Sequence, residues 1–187
     1  MIVGITGSLS SGKSTAAKIL SKNKYPLFSA DKVVKNLYSS PNFKKKLSNK
    51  LSINPKNFKY DIKNKLLNKK ISLKRLTKII HPFVRKNMHS FIKKHKKKKL
   101  TVLEIPLLIE SKLFNYFDVI ILVMSSKKSR LRRYLKNGGS KNFFNFLDKK
   151  QLDQRKKTKY CDFIIVNNKS KKNLKKKVND IIDKINE

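Results

Sequence analysis

The chain has 187 residues and a formal net charge of +37, with 48 lysines and arginines against 11 aspartates and glutamates. Its length suits one domain with a buried core, and no run approaches the roughly 20 apolar residues needed to cross a bilayer, so we expect no membrane association. The single cysteine excludes an internal disulfide, and the sequence opens directly in a strand with no signal peptide, so we expect a cytoplasmic protein.

The first predicted element is a short apolar strand, Ile2–Ile5, and the loop and helix after it carry the pattern G-x-x-x-x-G-K-[ST]. Such a loop turns several backbone N–H groups toward one point, and the helix behind it adds the positive end of its dipole. The sequence therefore predicts a site for the phosphates of ATP. Lys13 would reach the β- and γ-phosphates, and the Ser14 hydroxyl would hold Mg²⁺. The loop residues expected at this site are Gly7, Ser10, Ser11, Gly12, Lys13, Ser14 and Thr15.

Further along the chain, four more apolar runs are typical of buried parallel strands, and helical stretches separate them. The segment after Lys13 has apolar residues at helical spacing, and Pro82 predicts the first turn of another helix. This alternation predicts a P-loop NTPase-type three-layer α/β sandwich whose sheet is five-stranded and mainly parallel. The later strands are expected at Pro26–Ser29, Thr101–Ile105, Val119–Met124 and Phe163–Val166.

Two regions interrupt this alternation. Residues 33–99 have a helical, lysine-rich pattern, so we expect a helical substrate-binding insertion there. Residues 127–159 hold a helix that ends near Gly138 and a second helical stretch, Lys141–Lys157, at the position where a P-loop kinase carries a mobile lid. We expect a single kinase domain over residues 1–187, with its core in residues 1–32, 100–126 and 160–187.

Acidic residues follow the second and third predicted strands, at the edge where open α/β sheets bind ligands. Phosphoryl transfer to a hydroxyl needs a carboxylate that accepts the hydroxyl proton, and Asp31 is the candidate for this base. The alternative is that Asp31 caps a helix N-terminus. Glu104 is a candidate for holding Mg²⁺, directly or through water, and a structural hydrogen-bonding role is its alternative.

The ordered set of motifs resembles the dephospho-coenzyme A kinases over nearly the whole chain. Beyond the P-loop, that family has an Asp-Ala-Asp after its second strand, a His-Pro-x-Val-Arg segment, an acidic-x-Pro-Leu-Leu-x-Glu run, an Arg-rich lid helix, and a late Gln before Ala-Asp-Phe-x-Ile-x-Asn. Many NTPases share the P-loop alone, whereas the ordered set is specific. The corresponding residues are Ser29–Asp31, His81–Arg85, Glu104–Glu110, Arg130–Arg133, Gln151 and Cys161–Asn167.

The resemblance implies transfer of the γ-phosphoryl group of ATP to the ribose 3′-hydroxyl of dephospho-coenzyme A, the last step of coenzyme A synthesis. Asp31 then matches the catalytic base, and Lys13 is the second residue assigned to catalysis. The lid arginines would close over ATP, and Asn167 lies where the family's C-terminal loop approaches the adenine. The substrate-side residues expected are Asp31, His81, Arg85, Glu104 and Pro106, and the ATP side adds Arg130, Arg133 and Asn167.

Five positions depart from the family's pattern. Ser8 and Ser10 replace glycines usual in the P-loop, and Ser29 replaces the first Asp of Asp-Ala-Asp. Glu104 stands where Asp is commoner, and Leu147 stands where many members carry a lid Arg. Because serine is small, we expect the loop to keep its fold.

Two other functions stay open at this point. A different small P-loop kinase, acting on a nucleoside or nucleotide, would have the same loop and lid, although His81–Arg85 and Glu104–Glu110 argue against it. A nucleic-acid-binding protein with a vestigial P-loop would account for the charge, but the lysines reach every segment and form no concentrated patch with aromatic residues. We therefore expect ATP and dephospho-coenzyme A as partners, no specific nucleic acid, and a monomer or weak homo-oligomer.

Overall fold

The structure is a computed structural model and describes residues 1–22 and 24–186. Within these residues five strands form one sheet in the order β2-β3-β1-β4-β5, and each neighbouring pair is parallel. The strands are β1 (Ile2–Gly7), β2 (Leu27–Ser29), β3 (Thr101–Glu104), β4 (Val119–Met124) and β5 (Phe163–Val166). The predicted parallel five-stranded α/β sheet is confirmed.

Helices connect the strands in the described part of the chain. They are α1 (Lys13–Ser21), α2 (Ala30–Ser39), α3 (Pro41–Leu51), α4 (Phe58–Leu67), α5 (Leu73–Lys94), α6 (Lys127–Lys136), α7 (Lys141–Asp148), α8 (Gln154–Thr158) and α9 (Lys171–Asn186), with a short 3₁₀ helix at Phe114–Tyr116. None of the helices in the described residues is long and apolar enough to span a membrane.

The strand order places β1 between β3 and β4, so the loop after β1 lies at the middle of the sheet edge. The register sets Ile5 beside Glu104 and Gly7 beside Val123. All neighbours are parallel, and their carboxyl ends therefore meet at this one edge, where ligands bind in open α/β sheets. Below it, one face of the sheet packs on apolar side chains of α1 and α9, among them Ala17, Leu20, Leu174 and Val178.

The described chain forms two compact units. The first unit comprises Met1–Ser29 and the residues from Ile92 onward, and it contains the whole sheet. The second unit, Ala30–Phe91, is built from α2, α3, α4 and most of α5. It has an aromatic core of its own, in which the ring of Phe43 lies 5.2 Å from that of Phe83 and the ring of Tyr38 lies 5.3 Å from that of Phe58. Burial raises the pKa of Tyr38 to about 12.

Pro82 lies inside α5, so the prediction that it begins a helix is wrong. The helix begins at Leu73, where the Ser72 hydroxyl accepts a hydrogen bond from the N–H of Arg75 at 3.1 Å. An interior proline costs about 3 kcal/mol because it removes a backbone hydrogen bond and crowds the preceding turn. The helix nevertheless continues because it buries apolar side chains on both sides of the proline, each contributing roughly 1.5–3 kcal/mol. These buried side chains are Leu76, Ile80 and Met88.

The second helical stretch predicted at Lys141–Lys157 is interrupted. It divides into α7 and α8, and the carboxylate of Asp153 caps α8 by accepting from the N–H of Arg155 at 2.8 Å. An aspartate in this position satisfies an N–H group that the first turn of the helix leaves unpaired. The segment between the two helices contains Gln151.

Candidate active site

The P-loop, residues 7–12, connects β1 to α1. Gly7 has φ of +150° and Gly12 has φ of +104°, values that L side chains rarely adopt. A Cβ atom at Gly7 would collide with the carbonyl oxygen of Val123, and one at Gly12 with the side-chain amide of Asn167. Gly12 is also the N-cap of α1 and supplies no side-chain cap, so the first N–H groups of the helix are not satisfied by it. This is the geometry of an anion-binding helix start.

Lys13 and Ser14 begin α1 directly behind the loop. Lys13 is 6% exposed, and its Nζ donates to the carbonyl oxygen of Ser8 at 3.1 Å. The ammonium group is therefore held along the loop in which a phosphate chain would lie. Ser14 is exposed and Thr15 is half-buried.

Glu104 ends β3 with a buried carboxylate, 3% exposed, that accepts hydrogen bonds on both oxygens. The Ser14 hydroxyl donates to Oε1 at 2.5 Å, and the Ser29 hydroxyl donates to Oε2 at 2.9 Å. Beside it, the carbonyl oxygen of Pro106 accepts from the Thr6 hydroxyl at 3.1 Å, which attaches the segment after β3 to β1. A carboxylate and a hydroxyl that converge in this way are oxygen ligands of the kind that Mg²⁺ takes, so these residues fit the ion.

Arg133 and Asn167 lie against the P-loop backbone. The Asn167 side-chain amide donates to the carbonyl oxygen of Ser11 at 2.8 Å, and Arg133 donates to the same oxygen at 3.3 Å. Arg133 also donates to the carbonyl oxygen of Asn167 at 2.9 Å. Burial, and then the neighbouring Arg132, lower the pKa of Arg133. Arg133 and Asn167 were expected to contact ATP, and in this structure both bind the backbone of the P-loop.

Arg130, the other lid arginine, joins α6 to α7. Its guanidinium group is 5% exposed and donates to the carboxylate of Asp148 at 2.6 Å and to the carbonyl oxygen of Ser125 at 3.2 Å. It also lies 5.5 Å from the centre of the Phe144 ring. Arg130 therefore packs α6 against α7.

The second unit carries the remaining predicted residues. Asp31 is the second residue of α2 and is exposed in its first turn, so the interpretation of Asp31 as an N-cap is wrong. His81 and Arg85 stand four residues apart on α5, the first half-buried and the second exposed. Burial and then the charge of Arg85 lower the pKa of His81, which favours the neutral imidazole.

Two contacts at the site involve residues to which the sequence analysis gave no role. Ser29 holds the carboxylate of Glu104, and the side-chain oxygen of Gln151 accepts from the N–H of Leu9 at 2.9 Å. Each residue has a signal in the sequence, since Ser29 departs from a family motif and Gln151 is part of one. Their partners depend on strand order and on the fold of the lid, which motifs do not specify.

Known proteins resemble this chain over most of its length. The family model described as dephospho-CoA kinase matches residues 1–173 of this chain. The dephospho-CoA kinase of Bartonella quintana is 33% identical over 190 residues, which cover 98% of this chain and 97% of that protein.

Solved structures agree in fold. TT1252 from Thermus thermophilus superposes with a TM-score of 0.75 at 23% identity, over 99% of this chain and 97% of the other. The dephospho-CoA kinase from Campylobacter jejuni gives a TM-score of 0.60 at 24% identity, over 98% and 96% of the two chains. Since the family model covers most of the sequence and a relative covered over nearly its whole length exceeds 30% identity, this chain belongs to the dephospho-CoA kinase family, a family of ATP-dependent P-loop kinases.

Proposed function

We propose that this protein transfers the γ-phosphoryl group of ATP to the ribose 3′-hydroxyl of dephospho-coenzyme A, giving coenzyme A and ADP. The observation that supports it most directly is the Ser14–Glu104 contact of 2.5 Å behind a P-loop whose lysine is already held in place, in a chain of this family. We expect the reaction to take place in the cytoplasm and the protein to be a monomer or a weak homo-oligomer.

On the donor side, the P-loop and the start of α1 bind the phosphates of ATP through their backbone N–H groups. Lys13 neutralises charge on the β- and γ-phosphate oxygens as the γ-phosphoryl group is transferred. Asn167 and Arg133 fix the carbonyl oxygen of Ser11, so the loop keeps its shape while ATP exchanges for ADP. A loop already in its binding conformation loses little entropy when the nucleotide binds.

Ser14 and Glu104 are the residues assigned to Mg²⁺. Mg²⁺ is bound in kinases by one or two protein oxygens together with substrate phosphates, and when bound it neutralises negative charge on the β- and γ-oxygens. Ser29 orients the carboxylate of Glu104 from the side opposite to Ser14. The protein contribution to the metal is thus one hydroxyl and one fixed carboxylate.

On the acceptor side, Asp31 is the general base. During transfer a bond forms between O3′ of the acceptor and the γ-phosphorus, and the bond from that phosphorus to the β,γ-bridging oxygen breaks, so ADP leaves. The proton of the 3′-hydroxyl passes to the Asp31 carboxylate. His81, Arg85 and Pro106 are assigned to binding the acceptor, with Arg85 supplying a cation for its phosphates.

A substrate panel tests this proposal. The protein is incubated with Mg·ATP and one acceptor at a time, either dephospho-coenzyme A or a member of a set of nucleosides and nucleotides, and ADP release is measured. We expect turnover with dephospho-coenzyme A and only background ADP release with the others. Phosphorylation of nucleosides in the absence of any activity on dephospho-coenzyme A would overturn the proposal.

A further inference from the structure

The backbone N–H of Leu9, at the tip of the P-loop, has its partner in a distant part of the chain. The side-chain oxygen of Gln151 accepts from this N–H at 2.9 Å, across 142 positions of sequence. The N–H group is partly buried, and a donor that loses its acceptor inside the protein is destabilising because water does not fully replace the lost bond. The contact therefore constrains the loop.

The bond to Gln151 lies next to a residue with a strained backbone conformation. Ser10, the next residue, has φ of +57°, a left-handed conformation that is strained for an L residue. On the other side of Ser10, the N–H of Ser11 donates to the carbonyl oxygen of Ser8 at 3.1 Å, and the carbonyl oxygen of Ser11 is held by Asn167. The loop is thus fixed on both sides of the strained residue, on one side by Asn167 and on the other by Gln151.

The segment that carries Gln151 is anchored, because residues close to it in sequence are bonded to residues that follow two other strands, Ser125 after β4 and Glu110 after β3. Gln154 bonds to the backbone of Ser125 twice, accepting from its N–H at 3.0 Å and donating to its carbonyl oxygen at 3.1 Å. Ser125 directly follows β4. The α7–α8 segment is therefore attached to the sheet edge next to the loop.

A second attachment reaches the segment that follows β3. The N–H of Leu152 donates to the carboxylate of Glu110 at 3.2 Å, and the same carboxylate oxygen lies 2.7 Å from Nζ of Lys157. The Lys157 side chain is completely buried. A buried ammonium group without its carboxylate is strongly destabilising, so the Lys157–Glu110 pair favours this position of α8.

From this arrangement we infer that Gln151 is a positioning residue for the P-loop. Its side-chain amide holds the N–H of Leu9 and so keeps Ser10 and the following N–H groups in the conformation that receives the phosphates of ATP. Gln151 does not touch the reacting atoms; it acts through the loop. A segment that is anchored by its own hydrogen bonds can hold a binding loop with little further loss of entropy on binding.

The test compares the same substitution at two neighbouring glutamines, Gln151 before α8 and Gln154 at its start. Gln151→Met keeps the length of the side chain but removes the acceptor for Leu9, and Gln154→Met makes the same change at a glutamine whose hydrogen bonds go to Ser125, outside the P-loop. The dissociation constant of Mg·ATP is measured by calorimetry without acceptor, and the amide signal of Leu9 is followed in a ¹⁵N–¹H correlation spectrum. Thermal unfolding of both variants reports the purely structural effect.

We expect Gln151→Met to weaken ATP binding about tenfold, since a lost hydrogen bond of this kind is worth on the order of one tenfold step in affinity. The Leu9 signal should shift upfield, and KM for ATP should rise while KM for the acceptor stays within about twofold. Gln154→Met should change ATP affinity less than about twofold, even if it lowers the unfolding temperature as much as Gln151→Met does. Gln151→Asn shortens the side chain so that it cannot reach Leu9, and it should weaken ATP binding as Gln151→Met does. It replaces Gln151→Met in the comparison if that variant does not fold.

Native ATP affinity in Gln151→Met or Gln151→Asn would overturn the inference. So would an equal loss of affinity in Gln154→Met, because the effect would then belong to the fold of the segment and not to the contact with Leu9. The inference rests on the proposed function only for the identity of the nucleotide. Because ATP binding is measured without acceptor, an enzyme that fails to phosphorylate dephospho-coenzyme A would contradict the proposed function and leave this comparison intact.

Discussion

Asp31 is the residue on which the proposed chemistry depends most. Replacing it with asparagine keeps its size and removes the proton acceptor, so we expect Asp31→Asn to lower kcat by about 10²–10⁴-fold. The dissociation constant of ATP should stay the same, because the P-loop holds the nucleotide. Rapid-quench kinetics measures kcat, and a separate titration measures the dissociation constant of ATP. Near-normal turnover in this variant would assign Asp31 to the stability of α2, in whose first turn it lies.

The two serines that replace family glycines in the P-loop are predicted to behave in opposite ways. Ser10 has φ of +57°, whereas Ser8 is not among the residues with positive φ in the described chain. Ser10→Gly should raise the unfolding free energy by up to about 1 kcal/mol, because glycine adopts this conformation without strain. Ser8→Gly should lower it by about 0.5–1 kcal/mol through the added freedom of the unfolded chain. Equal effects in thermal unfolding of the two variants would contradict this interpretation.

Two further departures from the family's pattern, Ser29 and Glu104, are partners in the structure. Ser29→Asp would place a second carboxylate about where the serine hydroxyl now lies, 2.9 Å from Glu104, and like charges at that distance raise the pKa of the pair. Protons then bind the folded state more tightly than the unfolded chain, so stability should fall as the pH rises through the raised pKa. It should be close to native below about pH 4, where both carboxyls are protonated in either state.

Denaturant unfolding of Ser29→Asp at several pH values in the absence of Mg²⁺ measures this, and we expect a loss of about 2 kcal/mol at pH 7. Ser29→Asn, of similar size and without charge, is the control and should show no such pH dependence. A pH-independent loss in both variants would point to packing in place of charge.

At the scale of elements, an ion pair with a buried arginine joins α6 to α7. The Asp148 carboxylate pairs with the buried Arg130 at 2.6 Å and with the exposed Lys127 at 3.7 Å. Asp148→Asn should therefore lower the unfolding free energy by about 2–3 kcal/mol and speed hydrogen exchange in α7, since it leaves a buried guanidinium group without its carboxylate. Lys127→Ala should change the unfolding free energy by less than about 0.5 kcal/mol, because surface ion pairs contribute little. Equal effects would contradict the assignment of Arg130 as the structural arginine of the lid.

The sequence predicted elements well where the signal was local. Continuous apolar runs specify buried strands, and glycines before Lys13 specify the P-loop, whatever the rest of the chain does. The helix start predicted at Pro82 was wrong because the buried face of α5 outweighs the local preference of proline for the first turn of a helix. The roles of Ser29 and Arg133 could not be predicted for a different reason, since both depend on which strands are neighbours. Sequence spacing does not carry that information.

At the scale of the whole molecule, the charge of +37 is a property of the surface and not of one site. We expect any binding to DNA to be independent of base sequence and to fall steeply between about 50 and 200 mM salt, as counterion release requires. Mg·ATP affinity should change far less over that range, because it depends on oriented N–H groups and a half-buried loop. Anisotropy titrations with two unrelated duplexes test this. Binding that persists at 200 mM salt and discriminates between them would show a nucleic-acid function.

The central claim is the transfer of phosphate to one particular oxygen. Dephospho-coenzyme A incubated with the protein and Mg·ATP should give a product whose new phosphate resonates in ³¹P NMR as a ribose 3′-monoester, with one ADP formed for each product molecule. Loss of Asp31 should abolish that signal. A product phosphorylated at another position, or ADP release without any phosphorylated acceptor, would contradict the account.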